Sequence, residues 1–111
     1  MTATPIAVLV ATCGRDNLLL GRSLLSVAAQ TVAPEQVVIV SDGVALSSAT
    51  CAAVARLLGP HAVVLHNQWA SGAAGAWNYG LDWLWKEGFR GFVAVLDDDD
   101  TWDADHLEAC K

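Results

Sequence analysis

The chain alternates between unbroken apolar runs and segments whose apolar residues recur every three or four positions. The unbroken runs are Ile6-Ala7-Val8-Leu9-Val10-Ala11, Val37-Val38-Ile39-Val40, Ala62-Val63-Val64-Leu65 and Gly91-Phe92-Val93-Ala94-Val95-Leu96. All are short and mostly rich in valine or isoleucine, which suits strands buried on both faces rather than on one. Leu18, Leu20, Leu24, Leu25, Val27 and Ala28 keep a helical period through about Gln30, with Asp16 as the expected N-cap and Pro34 beyond the end. A second helix is predicted from Ser47, with Ala52, Val54, Ala55, Leu57 and Leu58 facing the core and Gly59-Pro60 as its stop. Ala76, Tyr79, Trp83 and Leu84 mark a third, ending at Lys86-Glu87-Gly88, and Asp103 is placed to cap a last one from Ala104 to Cys110. Such alternation predicts one α/β domain over residues 1–111: a three-layer sandwich with a mostly parallel, Rossmann-like sheet covered on both faces.

Three of the strands run into segments that are poor for a core and good for a site: Thr12-Cys13-Gly14, Ser41-Asp42-Gly43 and Asp97-Asp98-Asp99-Asp100. The C-terminal ends of parallel strands lie on one edge, where open α/β sheets bind ligands, so these segments are expected to converge. Four adjacent carboxylates repel one another. A divalent cation relieves that repulsion, and oxygen ligands suit Mg²⁺, Mn²⁺ or Ca²⁺. The alternative is that the acids only charge a loop and favour the start of the next helix.

Composition narrows the field. Hydrophobic residues make up 54% of the 111 residues and charged ones 16%. No apolar stretch reaches the roughly 18 residues of a membrane span, and Met1-Thr2-Ala3-Thr4-Pro5 lacks the basic start of a signal peptide. A net charge of −6 argues against nucleic acid as the main partner. Cys13, Cys51 and Cys110 are scattered without a C-x-x-C pair, a pattern of reduced thiols that points to a cytoplasmic location.

Other motifs are weaker. Asp42-Gly43 is a common turn pair, but at a strand end Asp42 also becomes an acceptor for a base imide or a ribose hydroxyl. Gly72-Ala73-Ala74-Gly75 has neither dinucleotide-fingerprint nor P-loop spacing, so these glycines are read as places where backbone passes close to a ligand or to the sheet. Asn78 is read as a brace for that segment rather than a ligand contact, and Trp102 as a buttress of the acid run rather than a surface that stacks on a ligand. His106 lies close enough to the acids to draw suspicion. An EF-hand counted from Asp97 fails because Trp102 stands where the loop needs glycine.

Five segments in order carry a family resemblance: Val8-Leu9-Val10-Ala11-Thr12 with Cys13-Gly14-Arg15; Leu25-Ser26-Val27-Ala28-Ala29-Gln30-Thr31; Val37 to Gly43; Gly75-Ala76-Trp77-Asn78-Tyr79-Gly80-Leu81; and Leu96 to Trp102. Together they resemble family 2 glycosyltransferases with the GT-A fold. The resemblance implies strand order 3-2-1-4 and a nucleotide-diphospho-sugar donor, a UDP- or dTDP-sugar, whose pyrophosphate Mn²⁺ or Mg²⁺ bridges to a D-x-D motif. It implies that Asp42 contacts the base and that Ala11 and Cys13 line the base pocket; Gly75, from the glycine segment, is counted among the nucleotide-binding residues. Asp98 would sit near ribose and metal, Asp99 would be the principal metal ligand, and Asp97 its D-x-D partner.

The sequence departs from the family in three places. Cys13-Gly14 stands where an aromatic residue and Asn are common, and Trp77 replaces an arginine that often precedes the Asn. Family members also extend well beyond the D-x-D, so the acceptor pocket and general base are expected outside these residues. The expected activity is therefore metal-dependent donor binding for glycosyl transfer. The alternatives are a non-catalytic nucleotide-binding module or a half-enzyme completed by a partner chain. A metal-dependent nucleotidyltransferase fits less well, since only Gly14 and Arg15 stand where a Gly-rich basic loop belongs. In the implied order the last strand forms an edge without proline or charge over Gly91 to Leu96, which favours a homodimer paired along it over a monomer whose terminal helix, Ala104 to Cys110, folds back on the edge.

Overall fold

A computed structural model describes residues 5–69 and 71–109. The leader reading at Met1-Thr2-Ala3-Thr4 and the helical assignment of Cys110 lie outside them. Strands β1 (Ile6–Thr12), β2 (Gln36–Ser41), β3 (Ala62–His66) and β4 (Phe92–Asp97) form one all-parallel sheet in the order β3-β2-β1-β4. Every residue of β1 is buried, because it lies in the middle of the sheet with helices on both sides. The continuous apolar run of its sequence reflects that position.

Alternation along the strands separates two cores. Ile6, Val8, Val10, Val37, Ile39 and Leu96 face one side and pack with Leu19, Leu24, Val27, Val54 and Leu107. Those partners come from the π-helical turn Leu19–Ser23, α2 (Leu24–Ala28), α3 (Ser48–Leu58) and α5 (His106–Ala109); the short α1 (Asp16–Leu18) before them buries no residue. Ala7, Leu9, Ala11, Val38 and Val40 face the other side, which α4 (Ala73–Lys86) covers with Ala76 and Leu84. Gly80 lets α4 lie close: a Cβ there would collide with the Leu9 side chain and come within 3.1 Å of Val40. That close approach also sets Ala76, one turn earlier, at the mouth of the sheet's C-terminal edge.

The first helical region differs from its predicted period. A π turn adds a residue to the repeat, so Leu19 is fully buried while Leu25 is 50% exposed. Asp16 does not cap its own helix, whose N-cap is Arg15. Its carboxylate instead accepts from the Ser47 backbone N–H and the Thr50 hydroxyl at the start of α3. In α3, Val54 is buried and Ala52 and Ala55 are exposed, contrary to the reading of all three as core. The last helix begins at His106 rather than Ala104. Gln30 ties it down: its side chain donates to the Asp103 carbonyl and accepts from the Leu107 N–H.

β4 is an edge strand, with Phe92 54% and Val95 43% exposed. Among the described residues no helix is long and apolar enough to cross a membrane.

Candidate functional site

The three strand-end segments do converge. A recess of about 100 Å³ at the C-terminal edge is lined by Ala11, Thr12, Cys13, Arg15, Asp42, Ala76, Asp97 and Asp98. Parallel pairing builds it: the Asp42 N–H donates to the Thr12 carbonyl, and Ala11 lies level with Asp97 across β1 and β4. Gly14 and Gly43 both take positive φ, which lets the chain turn sharply off β1 and β2. Gly75 lies in the first turn of α4, next to the lining residue Ala76.

Asp42 is fully engaged at one side. Its Oδ1 accepts from Asn67 Nδ2 at 2.9 Å and its Oδ2 from the Gly72 N–H at 2.7 Å. These donors, with the nearby His66 ring, hold its carboxyl below the ordinary range, against a smaller opposing effect of burial. Asn67 is buried and also accepts from the Trp69 N–H, so this carboxylate pins the start of the 67–72 loop. Each Asp42 oxygen keeps a second lone pair for a ligand donor. Trp69 in turn meets Tyr79 edge to face at 5.5 Å.

The acid run is split by the sheet. A turn in which the Asp100 N–H donates to the Asp97 carbonyl folds the run back on itself. Carboxylate oxygens of Asp97, Asp99 and Asp100 thereby lie within 4.8 Å of one another. Burial, then the charges of Asp100, Asp99 and Asp98, push the Asp97 carboxyl up, and Arg15 offsets only part of this. A cluster of hard, mutually repelling oxygens fits a divalent cation.

Asp98 points the other way and is fully buried. Its Oδ2 accepts from the Thr12 hydroxyl at 2.8 Å and from Arg15 Nε at 3.1 Å, and its Oδ1 accepts from Arg15 Nη2. Arg15 is half exposed, and its Nη1 lies 3.6 Å from Asp99.

Sequence reasoning named Ala11, Cys13, Asp42, Asp97 and Asp98, and the fold brings all five to one recess, with Asp99 at its rim beside Arg15. It did not single out Arg15 or Asn67 as site residues, and it read Asp100 within the acid run without naming it as a metal ligand. Asn78 lies on the exposed side of α4 and makes no side-chain hydrogen bond among the described residues, so the brace is Asn67 instead. Trp102 packs on the core beneath the run and stacks on His106 at 4.5 Å, which accounts for both rings.

Solved structures with this fold include S. aureus TarS 1–349 in complex with UDP, with a TM-score of 0.72 at 22% identity over 96% of this chain and 30% of that one. Mannosyltransferase PcManGT from Pyrobaculum calidifontis, in complex with GDP-Man and Mn²⁺, gives 0.66 at 22% identity over 96% and 31%. The chain thus spans under a third of the length of these proteins. Among curated proteins, none matches the sequence significantly. The family model for glycosyl transferase family 2 matches residues 7–110, nearly the whole chain, and on that match the chain belongs to glycosyl transferase family 2.

Proposed function

We propose that this chain binds the nucleotide-diphospho-sugar donor of a glycosyl transfer, a UDP- or dTDP-sugar, together with Mn²⁺ or Mg²⁺. The observation that carries the reading is the pairing of two unlike carboxylate sites in one cleft. Asp42 stands in a hydrogen-bonded recess, and the Asp97, Asp99 and Asp100 oxygens lie within 4.8 Å of one another beyond it. One structural relative is in complex with UDP and another with GDP-Man and Mn²⁺, which supports a nucleotide and a cation as ligands.

In this reading Asp42 accepts from the base, while Ala11, Cys13 and Gly75 shape the wall around the nucleoside. Asp97, Asp99 and Asp100 hold the cation, which when bound stabilises the negative charge that develops on a departing nucleoside diphosphate. Asp98 acts one step back through Arg15, because its oxygens are engaged within the protein. Titration calorimetry tests the reading. UDP should bind more tightly with Mn²⁺ than with EDTA, and Asp99→Ala should remove the difference. Equal binding in both conditions would refute the metal role.

The edge strand supports a second copy as partner. The outer edge of β4 has no strand beside it among the described residues, and Phe92, Val95 and Trp85 (63% exposed) leave apolar surface next to it. Pairing two copies along this edge closes a two-fold dimer and satisfies its free backbone groups. Light scattering at micromolar concentration should show twice the monomer mass, and Val95→Lys should restore the monomer. A wild-type monomer at every concentration would sink this partner.

A further inference from the structure

Of the charged groups in the cleft, Arg15 is the one that neither fold nor acid run fully accounts for. Arg15 is the only cationic side chain lining the recess among the described residues, and it shares that recess with Asp42, Asp97 and Asp98. The buried Asp98 grips it through Nε and Nη2, which fixes the plane of the guanidinium. Thr12 completes the grip from β1. Both N–H groups on Nη1, and one on Nη2, are not used by Asp98. Nη1 is 3.6 Å from Asp99, beyond a hydrogen bond, and 49% of the side chain is exposed. The result is a held cation with free donors that lines the recess shared with Asp42 and lies beside Asp99 of the acid cluster.

We propose that Arg15 is a phosphate-contacting residue, the fixed cation that receives the diphosphate of a nucleoside-diphosphate ligand, with Asp98 as its positioning residue. The inference rests on the donor-binding reading above and assigns the diphosphate's contact within it. A diphosphate joins the nucleoside to the sugar, so it crosses the ground between Asp42 and the acid cluster, where Arg15 stands. It enters a cleft bearing Asp42, Asp97, Asp98, Asp99 and Asp100, and needs positive charge besides the cation. A planar fork with free N–H groups matches phosphate oxygens better than a flexible ammonium does. A purely structural Arg15 would need only to neutralise Asp98, and a half-open guanidinium exceeds that need.

The test compares ligands that share parts of the donor. Uridine, UDP and inorganic pyrophosphate are titrated, with Mn²⁺, into the wild type and into the double variant Arg15→Gln/Asp98→Asn. That variant removes the guanidinium and the buried charge together. UDP and pyrophosphate should each bind about tenfold more weakly to it, with uridine unchanged. Equal losses for UDP and uridine, or no loss for either, would overturn the proposal.

A second measurement uses the unaltered chain and covers the case of a variant that fails to fold. Phenylglyoxal modification, mapped by mass spectrometry, should be slowed at Arg15 by UDP and by pyrophosphate but not by uridine. An Arg15 modified equally fast with and without diphosphate overturns the proposal, even where Asp99-dependent UDP binding upholds the donor reading. Protection by pyrophosphate alone, with UDP not bound, upholds Arg15 and sinks the donor reading.

Discussion

The two ends of the cleft use the same residue type to opposite effect. Asp42 meets donors, Asn67 Nδ2 and the Gly72 N–H, and its carboxyl moves down. Asp97 meets burial and three neighbouring carboxylates, and moves up. One end is complete in the protein alone; the other is short of positive charge. Between them Asp98 takes the local cation, Arg15, through two hydrogen bonds and leaves Asp99 only the looser contact. The difference teaches that an acid run is read by the partners of each carboxylate, not by its count. The carboxylates without donors are the ones a metal fits.

The largest break in this picture comes at the hinge between the ends. Arg15→Ala leaves a fully buried Asp98 with only the Thr12 hydroxyl, and should cost about 3 kcal/mol, the low side for a broken buried pair because Arg15 is half exposed. Asp98→Ala should cost less, since the released arginine turns into water. Urea unfolding of both variants measures the order. An Arg15→Ala loss no larger than that of Asp98→Ala would contradict the buried-pair account.

Next in size is the effect of the cation itself. Mn²⁺ at a hundredfold excess over its dissociation constant should stabilise the wild type by about 2.7 kcal/mol. Asp99→Ala should lose most of this gain, whereas Asp42→Asn should keep it. Thermal melts with Mn²⁺ or EDTA report both. Equal Mn²⁺ stabilisation of wild type and Asp99→Ala would place the ion elsewhere.

How much of this is legible in the sequence depends on the range of the interactions. The strands are legible because burial on both faces writes itself as an unbroken apolar run, as in Val37 to Val40. The strand order comes through the family resemblance, since spacing alone does not distinguish parallel orders. The convergence of Thr12, Asp42 and Asp97 rests on one topological rule. Two of the features that escape depend on distant pairings, and two on local turns. Arg15 meets Asp98 across 83 positions, and Asp16 reaches Thr50, 34 positions on, at the start of another helix. Leu19 replaces Leu25 in the core because a single π turn shifts the helical phase, which residue types do not encode. Asp100 joins the cluster of carboxylates through a turn whose closing bond is backbone to backbone.

A smaller effect isolates the completed end. Asp42→Ala strips the acceptor from Asn67 and Gly72, so the 67–72 loop loosens and a base loses its acceptor. Uridine affinity should fall about tenfold, the scale of one hydrogen bond to a charged group, and by the same factor with Mn²⁺ as with EDTA. A loss seen only with Mn²⁺ would show the two ends to be one coupled site.

The smallest expected effect is also the sharpest test of the contrast, because pH acts on both ends with opposite sign. Asp42 has a lowered folded pKa, so the stability it lends is present above the unfolded carboxylate value of about 3.9 and is lost as pH falls through the lower folded value. Asp97 has a raised folded pKa, so its ionised form disfavours the fold. Acidification relieves that penalty first, as pH falls through the raised value, and the relief is complete below about 3.9. In EDTA, melting temperature against pH should therefore show a contribution from Asp97 that rises on mild acidification, with a loss from Asp42 at lower pH. The Asp97→Asn curve should lack the first feature and keep the second; the Asp42→Asn curve should do the reverse. Parallel wild-type and Asp97→Asn curves would mean that Asp97 feels its neighbours no more than an isolated carboxylate does, and the distinction between the two ends would fall with it.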